Sequence, residues 1–490
     1  MSATTLSAAI APVPVSNSYP ARIAAVCAWA AIALSVAPWA TDVFLWWSGA
    51  GLAIAALWPF ARAWRRGLDP GDAIWCFLLY FVLAMLLRGM GVLTFVDSPY
   101  LRGLGDARSQ SFRQLVGWVF FYSTLGLVAL NAAYHAPSGR RWAEHLLERG
   151  TLLSAPWRRS RIVPVGLALI GIGGIGLMLR LHSLGGFANA AANPMDANTV
   201  GAIGRYWQIA LTEFAVAGFH VLVIGCMLRG GRHLLLLWLG LGLVLGVPLF
   251  LASSSKALLI RVFFTPMLFR HFLLKPLRMR HVVGFFAGFS LLFPLFYAYR
   301  ALGVGGFAEA AQYLETTETP LLKVYNRAYD ADSFMRVLHA TAHGLVPLQW
   351  GHSLQDLFVF FIPRAFWAAK PDAFGLEFAR LYMPEVPWGA ITYVSPSLAG
   401  ELFLNFHVIG VLAGFLLLGW ALRAAITLAR GGGPGAVLLY GCFFLAAVHL
   451  VEGSIAAQIE FFITSAVPVL IALGLLTARR SPGTPLGRPA

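Results

Sequence analysis

At 490 residues the chain is 59% hydrophobic and 12% charged, with a mean hydropathy of +0.72. A soluble protein of this length carries about twice that charge, so a soluble fold is excluded, and several apolar runs reach the roughly 20 residues that cross a bilayer as helix. Lys and Arg outnumber Asp and Glu 36 to 21; in a membrane chain this excess reads as basic loops held on one side rather than as a nucleic-acid surface.

The expected fold is an all-α, polytopic transmembrane helical bundle of about twelve spans with one large structured loop. Residues 1–21 are uncharged, rich in Ala, Pro and Ser, and lack the basic stretch of a signal peptide. They read as a disordered cytoplasmic tail before an uncleaved first helix. Nine spans follow within 22–299, near 22–38, 42–62, 74–96, 112–134, 162–181, 207–228, 233–252, 257–274 and 281–299. After a loop over 300–399, three more fall within 400–478, near 400–422, 435–452 and 455–477, and 479–490 form a second cytoplasmic tail.

With these spans the basic clusters alternate cleanly. Arg62, Arg65 and Arg66 fall on the same side as the group from Arg140 to Arg161, as Lys275, Arg278 and Arg280, and as Arg479 and Arg480. That side is the cytoplasm, so both termini are expected there. The four cysteines (Cys27, Cys76, Cys226, Cys442) lie in apolar runs, and neither a disulfide, a metal cluster nor a cofactor is expected.

Ionisable residues inside spans are costly and call for a reason. Arg88, Glu213, Arg261, Glu460, His407 and His449 fall in outer halves, with Glu401 and Glu452 at outer ends. This bias suits a cavity open to the outer leaflet. A coupled transporter would hold its polar residues near the midplane on broken helices. Structural ion pairs are the alternative for each residue. An internal echo, "RLHSLGGFANAA" from Arg180 and "RALGVGGFAEAA" from Arg300, reads either as a shared glycine-capped helix exit or as two hinged loops presenting an arginine at the membrane surface.

The loop over 300–399 is too long for a passive connection. In "NRAYDADSFMRVLHATAHG", Asp332, Arg336, His339 and His343 share one helical stripe. The stripe suits a solvated face with an Asp–Arg pair, a surface turned to substrate, or a two-histidine, one-carboxylate metal site. Arg327 and Asp330 extend it. Further on, "FFIPRAFWAAKPDAFG" holds Arg364 and Lys370 between Pro363 and Pro371 among large aromatics. The prolines stop a spanning helix and the aromatics favour interfacial depth. The two cations there suit a lipid phosphate, Arg as a rigid fork and Lys as a mobile charge. In "SPSLAGELFLNFHVIGVLAGF", Ser395 caps and Pro396 starts a helix. Glu401 then stands in its second turn, either favoured by the helix N-terminus or placed at a cavity mouth to accept a proton.

The series "FIPRAFWAAKP", "FGLEFARLYMP" and "SLAGELFLNFHVIGVLAGF", with "SSSKALLI" at 253–260, resembles the Wzy-type O-antigen or oligosaccharide-repeat-unit polymerases of bacterial inner membranes. The family's more usual "FG" after the asparagine is "FH" here, at Phe406 and His407. The resemblance implies an inverting, metal-independent glycosyltransferase at the periplasmic face. It would join undecaprenyl-diphosphate-linked oligosaccharides, donor and acceptor both lipid-linked, among membrane lipids and alongside a chain-length regulator. Cations would stabilise the leaving diphosphate: Arg364 and Lys370 first, then Arg327, Arg336, Arg300, Lys256 and Arg180, with His343 and Asp332 contacting the glycan. Glu401 and His339 are the expected acid–base groups. An O-antigen ligase acting on a lipid A core is the rival within enzymes, and a flippase for the same lipids is the rival outside them.

Overall fold

The computed structural model describes residues 19–64, 67–94, 101, 103–149, 152–194, 206–231, 233–253, 255–292, 296, 299, 303, 328–364, 366, 367, 369–384 and 393–477. Among them the secondary structure is helical, apart from one isolated bridge between Trp157 and Thr477. In chain order the principal helices are α1 (Ala21–Val36), α2 (Thr41–Ala63), α3 (Ala73–Gly91), α4 (Gln110–His135), α5 (Pro137–Glu148), α6 (Arg159–Ser183), α7 (Trp207–Leu228) and α8 (Leu234–Leu251). They continue with α9 (Lys256–Phe263), α10 (Thr265–Leu273), α11 (Met279–Leu291), α12 (Asp330–Ala342), α13 (Phe374–Tyr382), α14 (Leu398–Gly431), α15 (Pro434–His449) and α16 (Ile455–Leu476).

Eight of these, α2, α3, α4, α6, α7, α8, α14 and α16, are long and apolar enough to cross a membrane. The other four expected spans differ in form. The 22–38 and 435–452 segments are the shorter apolar helices α1 and α15. The 257–274 segment is divided at Phe264, where Pro266 opens a new helix. Of the 281–299 segment, residues up to Leu291 belong to α11, and Phe296 and Tyr299 are also helical.

Small residues set the closest helix contacts, as expected where helices pack without a hydrophobic drive between them. A Cβ on Gly173 of α6 would stand 2.2 Å from the Ala215 nitrogen of α7, and one on Gly419 of α14 would stand 2.2 Å from the Leu130 oxygen of α4. The main core joins α3, α4, α12 and α14 through Phe77, Phe81, Phe120, Phe334, Phe403 and Phe415. Thus the loop helix α12 does not ride on the surface: residues 330–338 are all buried, and α12 packs against α3, α4 and α14.

Two backbone irregularities shape this loop end of the bundle. A π segment, Val82–Leu87, interrupts α3 directly before Arg88, a feature that recurs at functional sites. In α14 the helix breaks at Phe406 (φ −139°, ψ 22°) and His407 (φ 55°, ψ −148°). That conformation belongs to glycine, so His407 holds strained backbone. The α14 cap also differs from expectation. Ser397, not Ser395, accepts from the Gly400 amide at 3.2 Å, while Ser395 Oγ accepts from the Ser397 amide.

The first copy of the internal echo is a helix exit. Gly185 and Gly186 have φ of 80° and 97°, the Gly186 amide donates to Leu181 O at 2.8 Å, and the Gly185 amide donates to His182 O at 3.1 Å. Those two bonds are the Schellman closure that left-handed glycine permits. Arg180 is buried at this exit, not presented at a surface. Of the second copy, only Gly303 is described.

Candidate functional site

Two carboxylates open α12 two residues apart, so they leave the helix on different sides. Asp332 turns to α3, where its Oδ1 accepts from Arg88 Nε at 2.9 Å and its Oδ2 from Arg88 Nη2 at 2.6 Å. Both side chains are buried, and the two-point fork fixes orientation as well as distance. This pair anchors the large loop to a membrane-spanning helix. It also corrects the picture of a single polar stripe: Asp332 and Arg336 are buried, His339 is half-buried and His343 is exposed. The histidine rings lie 4.2 Å apart, tilted by 39°, with His343 Nδ1 2.8 Å from His339 O. Asp332 is committed to Arg88 at the other end of the helix, so the three do not form a metal site.

Asp330 turns the other way. It is 1% exposed, and neither carboxylate oxygen accepts a hydrogen bond from another residue. Ser333 Oγ, one turn on, is likewise buried without a partner. Burial, reinforced by Glu452 and Asp332, raises the Asp330 pKa well above the usual carboxylate value, against the opposing pull of Arg88. Nearby, the Tyr80 hydroxyl of α3 donates to Glu452, which follows α15. A buried polar group without a partner is destabilising, and such groups gather where a site is built for a ligand or a proton. Sequence reasoning placed Asp330 only at the edge of the stripe.

Glu401, the expected acid–base carboxylate, does not stand at a cavity mouth. It is fully buried. Its Oε1 accepts from Ser353 Oγ and its Oε2 from the Ile455 amide, each at 2.7 Å. Asn405, one turn on, donates to Ser353 Oγ at 2.7 Å and accepts from the Gly351 amide at 2.8 Å. Glu401 and Asn405 thus fasten the start of α14 to the turn at Gly351–Ser353 and to the first turn of α16. Both carboxylate oxygens are bonded within the fold, and the later cap at Ser397 puts Glu401 in the first turn of α14, against the Ser353 turn.

Arg364 and Lys370 are brought together, and each closes the segment that carries the other. Arg364 donates to Lys370 O at 2.7 Å, to Pro371 O at 3.1 Å and to Asp372 Oδ1 at 2.8 Å. Lys370 Nζ donates to Phe360 O at 3.0 Å and Ile362 O at 3.2 Å. The prolines remove backbone donors, and the cations satisfy the carbonyls left over. Both residues line a cavity of about 230 Å³ with Trp207, Asp356, Asp372 and Glu460. Burial pushes the Lys370 pKa down and the Asp356 pKa up. Phe358, Phe361 and Phe366 of the same segment are exposed, which suits an element lying against a membrane surface.

Of the remaining expected residues, Arg300 and Arg327 lie outside the described residues. Lys256 opens α9, and its side chain is also outside them. A second buried pair was foreshadowed only by its two ions: Arg261 of α9 forks onto Glu213 of α7, which also accepts from Ser465 Oγ at 3.2 Å. Arg261 lies 5.0 Å over the Phe461 ring. No family model, no curated protein and no solved structure matches this chain, so the site stands on its own geometry.

Proposed function

We propose that this multi-pass membrane protein is a polysaccharide polymerase that joins lipid-diphosphate-linked oligosaccharide units. In this reading it has about twelve spans in a bacterial inner membrane, both termini cytoplasmic, and the 300–399 loop and its site periplasmic. The reading rests on the resemblance carried by the loop motifs. The observation that supports it best is Asp330: a buried carboxylate whose oxygens accept no hydrogen bond from another residue, on a loop helix clamped into the bundle with the buried cations Arg88 and Arg336.

Glycosyl transfer from a lipid diphosphate has two electrostatic demands. The acceptor hydroxyl must lose a proton as its oxygen attacks the anomeric carbon, and the departing diphosphate must be stabilised as it takes the bonding electrons. In this reading Asp330, once ionised, takes the proton; it is as buried as Glu401, but its oxygens carry no hydrogen bond from another residue, whereas those of Glu401 are held by Ser353 and Ile455. Among the described residues Arg336 is the buried loop cation nearest Asp330 along the chain, while Arg364 and Lys370 hold the aromatic segment that faces lipid. Attack opposite the leaving group inverts the anomeric centre.

The test is reconstitution. Purified protein in liposomes, given a defined lipid-diphosphate oligosaccharide and a chelator, should yield a ladder of longer glycans without any lipid A acceptor. Asp330→Asn should abolish the ladder while the protein stays folded. Product only on a lipid A core would point to a ligase, and movement of the lipid without new glycosidic bonds to a flippase.

A further inference from the structure

At the end of the bundle opposite Asp330 lies a cavity of about 1040 Å³. Asp72 caps this end of α3, and Arg88 stands roughly 24 Å along the same helix. The cavity is therefore separate from the loop site, and it plays no part in the function proposed above. One part of its wall is hydrocarbon and indole, from Trp29, Ile54, Trp58 and Val128. Ile54 and Trp58 are exposed on the bundle surface, so the cleft opens on an apolar flank of the bundle.

The other part is basic. Six arginines line it, Arg22, Arg62, Arg140, Arg141, Arg423 and Arg430, against the three carboxylates Asp69, Asp72 and Glu144. Those carboxylates are already engaged. Asp69 is paired with Arg430 and with His271, Glu144 with Arg140 at 2.7 Å, and Asp72 accepts the Tyr134 hydroxyl. Arg22 lies 6.0 Å over the Trp58 ring and Arg423 lies 5.5 Å over the Tyr134 ring, contacts that pre-place a guanidinium without neutralising it. Arg141 is exposed.

We propose that this cavity binds an anionic phospholipid, its phosphate met by Arg22, Arg141 and Arg423 and an acyl chain lying along Trp29, Ile54, Trp58 and Val128. Charge complementarity selects the headgroup, because Arg22, Arg141 and Arg423 form no ion pair with the three carboxylates of the wall, which Arg140, Arg430, His271 and Tyr134 engage. The indole and aliphatic wall selects a lipid over a free anion, since an inorganic phosphate would leave that wall unfilled. Arginine's planar fork suits phosphate oxygens, and basic pockets between spans take anionic headgroups for the same reason.

The test uses full-length protein stripped of lipid in an uncharged detergent, followed by native mass spectrometry and thermal unfolding. Phosphatidylglycerol should bind and raise the melting temperature, whereas phosphatidylcholine and inorganic phosphate should do neither. Arg22→Gln and Arg141→Gln should each weaken phosphatidylglycerol binding about fivefold. Val128→Trp, which fills the apolar wall and leaves every arginine in place, should block binding without lowering the melting temperature of the lipid-free protein. Equal stabilisation by phosphatidylcholine would overturn the proposal, as would stabilisation by inorganic phosphate alone or phosphatidylglycerol binding indifferent to the arginine changes.

Discussion

Replacing Arg88 with Met should detach the loop helix from the bundle. Arg88 and Asp332 are 2% and 0% exposed, and the fork between them joins α3 to α12. Removing one ion of a buried pair leaves the other uncompensated, a loss of about 3–5 kcal/mol. At about 1.4 kcal/mol per tenfold, that shifts the folding equilibrium by a factor of a hundred to a few thousand. Asp332→Leu should lose a similar amount. The double change Arg88→Met/Asp332→Leu removes both charges and fills the space with hydrocarbon, so it should lose far less than the two single losses added together. Removing the Arg88 cation also strips Asp330 of an interaction that favours its ionised form, so the single variant should bind the Asp330 proton more tightly. Thermal and denaturant unfolding in nanodiscs, read by tryptophan fluorescence, measures the stabilities, and limited proteolysis of the loop reads its detachment. A loss below about 1 kcal/mol for Arg88→Met, or a double variant as unstable as the sum of the singles, would refute the reasoning.

The other expectations are simpler. Because burial and neighbouring carboxylates raise the Asp330 pKa, the folded state keeps a proton that the unfolded chain releases. Its contribution to stability should therefore fall as pH rises from the ordinary carboxylate range through the raised value, while activity rises over the same window; Asp330→Asn should flatten that stability slope. Arg364→Lys should loosen the 360–372 segment by about 1–3 kcal/mol, because a single ammonium cannot reach the three acceptors that the guanidinium holds, and hydrogen exchange of those amides should accelerate. His407→Gly should raise the unfolding free energy by about 1 kcal/mol, since glycine adopts φ 55°, ψ −148° without the strain a histidine carries there. The tilted ring contact it forfeits with Phe403, at 4.3 Å, is the smaller term, and a fall in stability would show otherwise.

The sequence disclosed the chemistry of buried ions better than their partners. Arg88, Glu213 and Arg261 stood out because a charge inside an apolar run is expensive wherever it ends up. Asp332 could not be matched to Arg88 from sequence, since 244 residues separate them and no local periodicity links them. Helical spacing grouped Asp332, Arg336 and His339 on one helix, with His343 as its C-cap, but spacing says nothing of depth, and α12 runs from core to solvent along that stripe. Glu401 shows the same gap. The cap lies two residues beyond Ser395, and the Ser353 turn covers the carboxylate, a contact that only the folded loop provides. Proline and aromatic content identified the 360–375 segment as one that cannot span. It could not show that Arg364 and Lys370 would bond the segment's own carbonyls. The break at Phe406 and His407 was not legible, since the run over 400–422 reads as one continuous span; a glycine conformation held by a histidine shows only in the backbone.

The central claim is that this chain makes glycosidic bonds by expelling a lipid diphosphate. The direct measurement is stoichiometry in proteoliposomes supplied with a radiolabelled lipid-diphosphate oligosaccharide. The account predicts one free lipid diphosphate released for each new linkage in the growing glycan, both products disappearing together in Asp330→Asn. Linkages formed without lipid diphosphate release, or release by hydrolysis with no longer glycan, would contradict it.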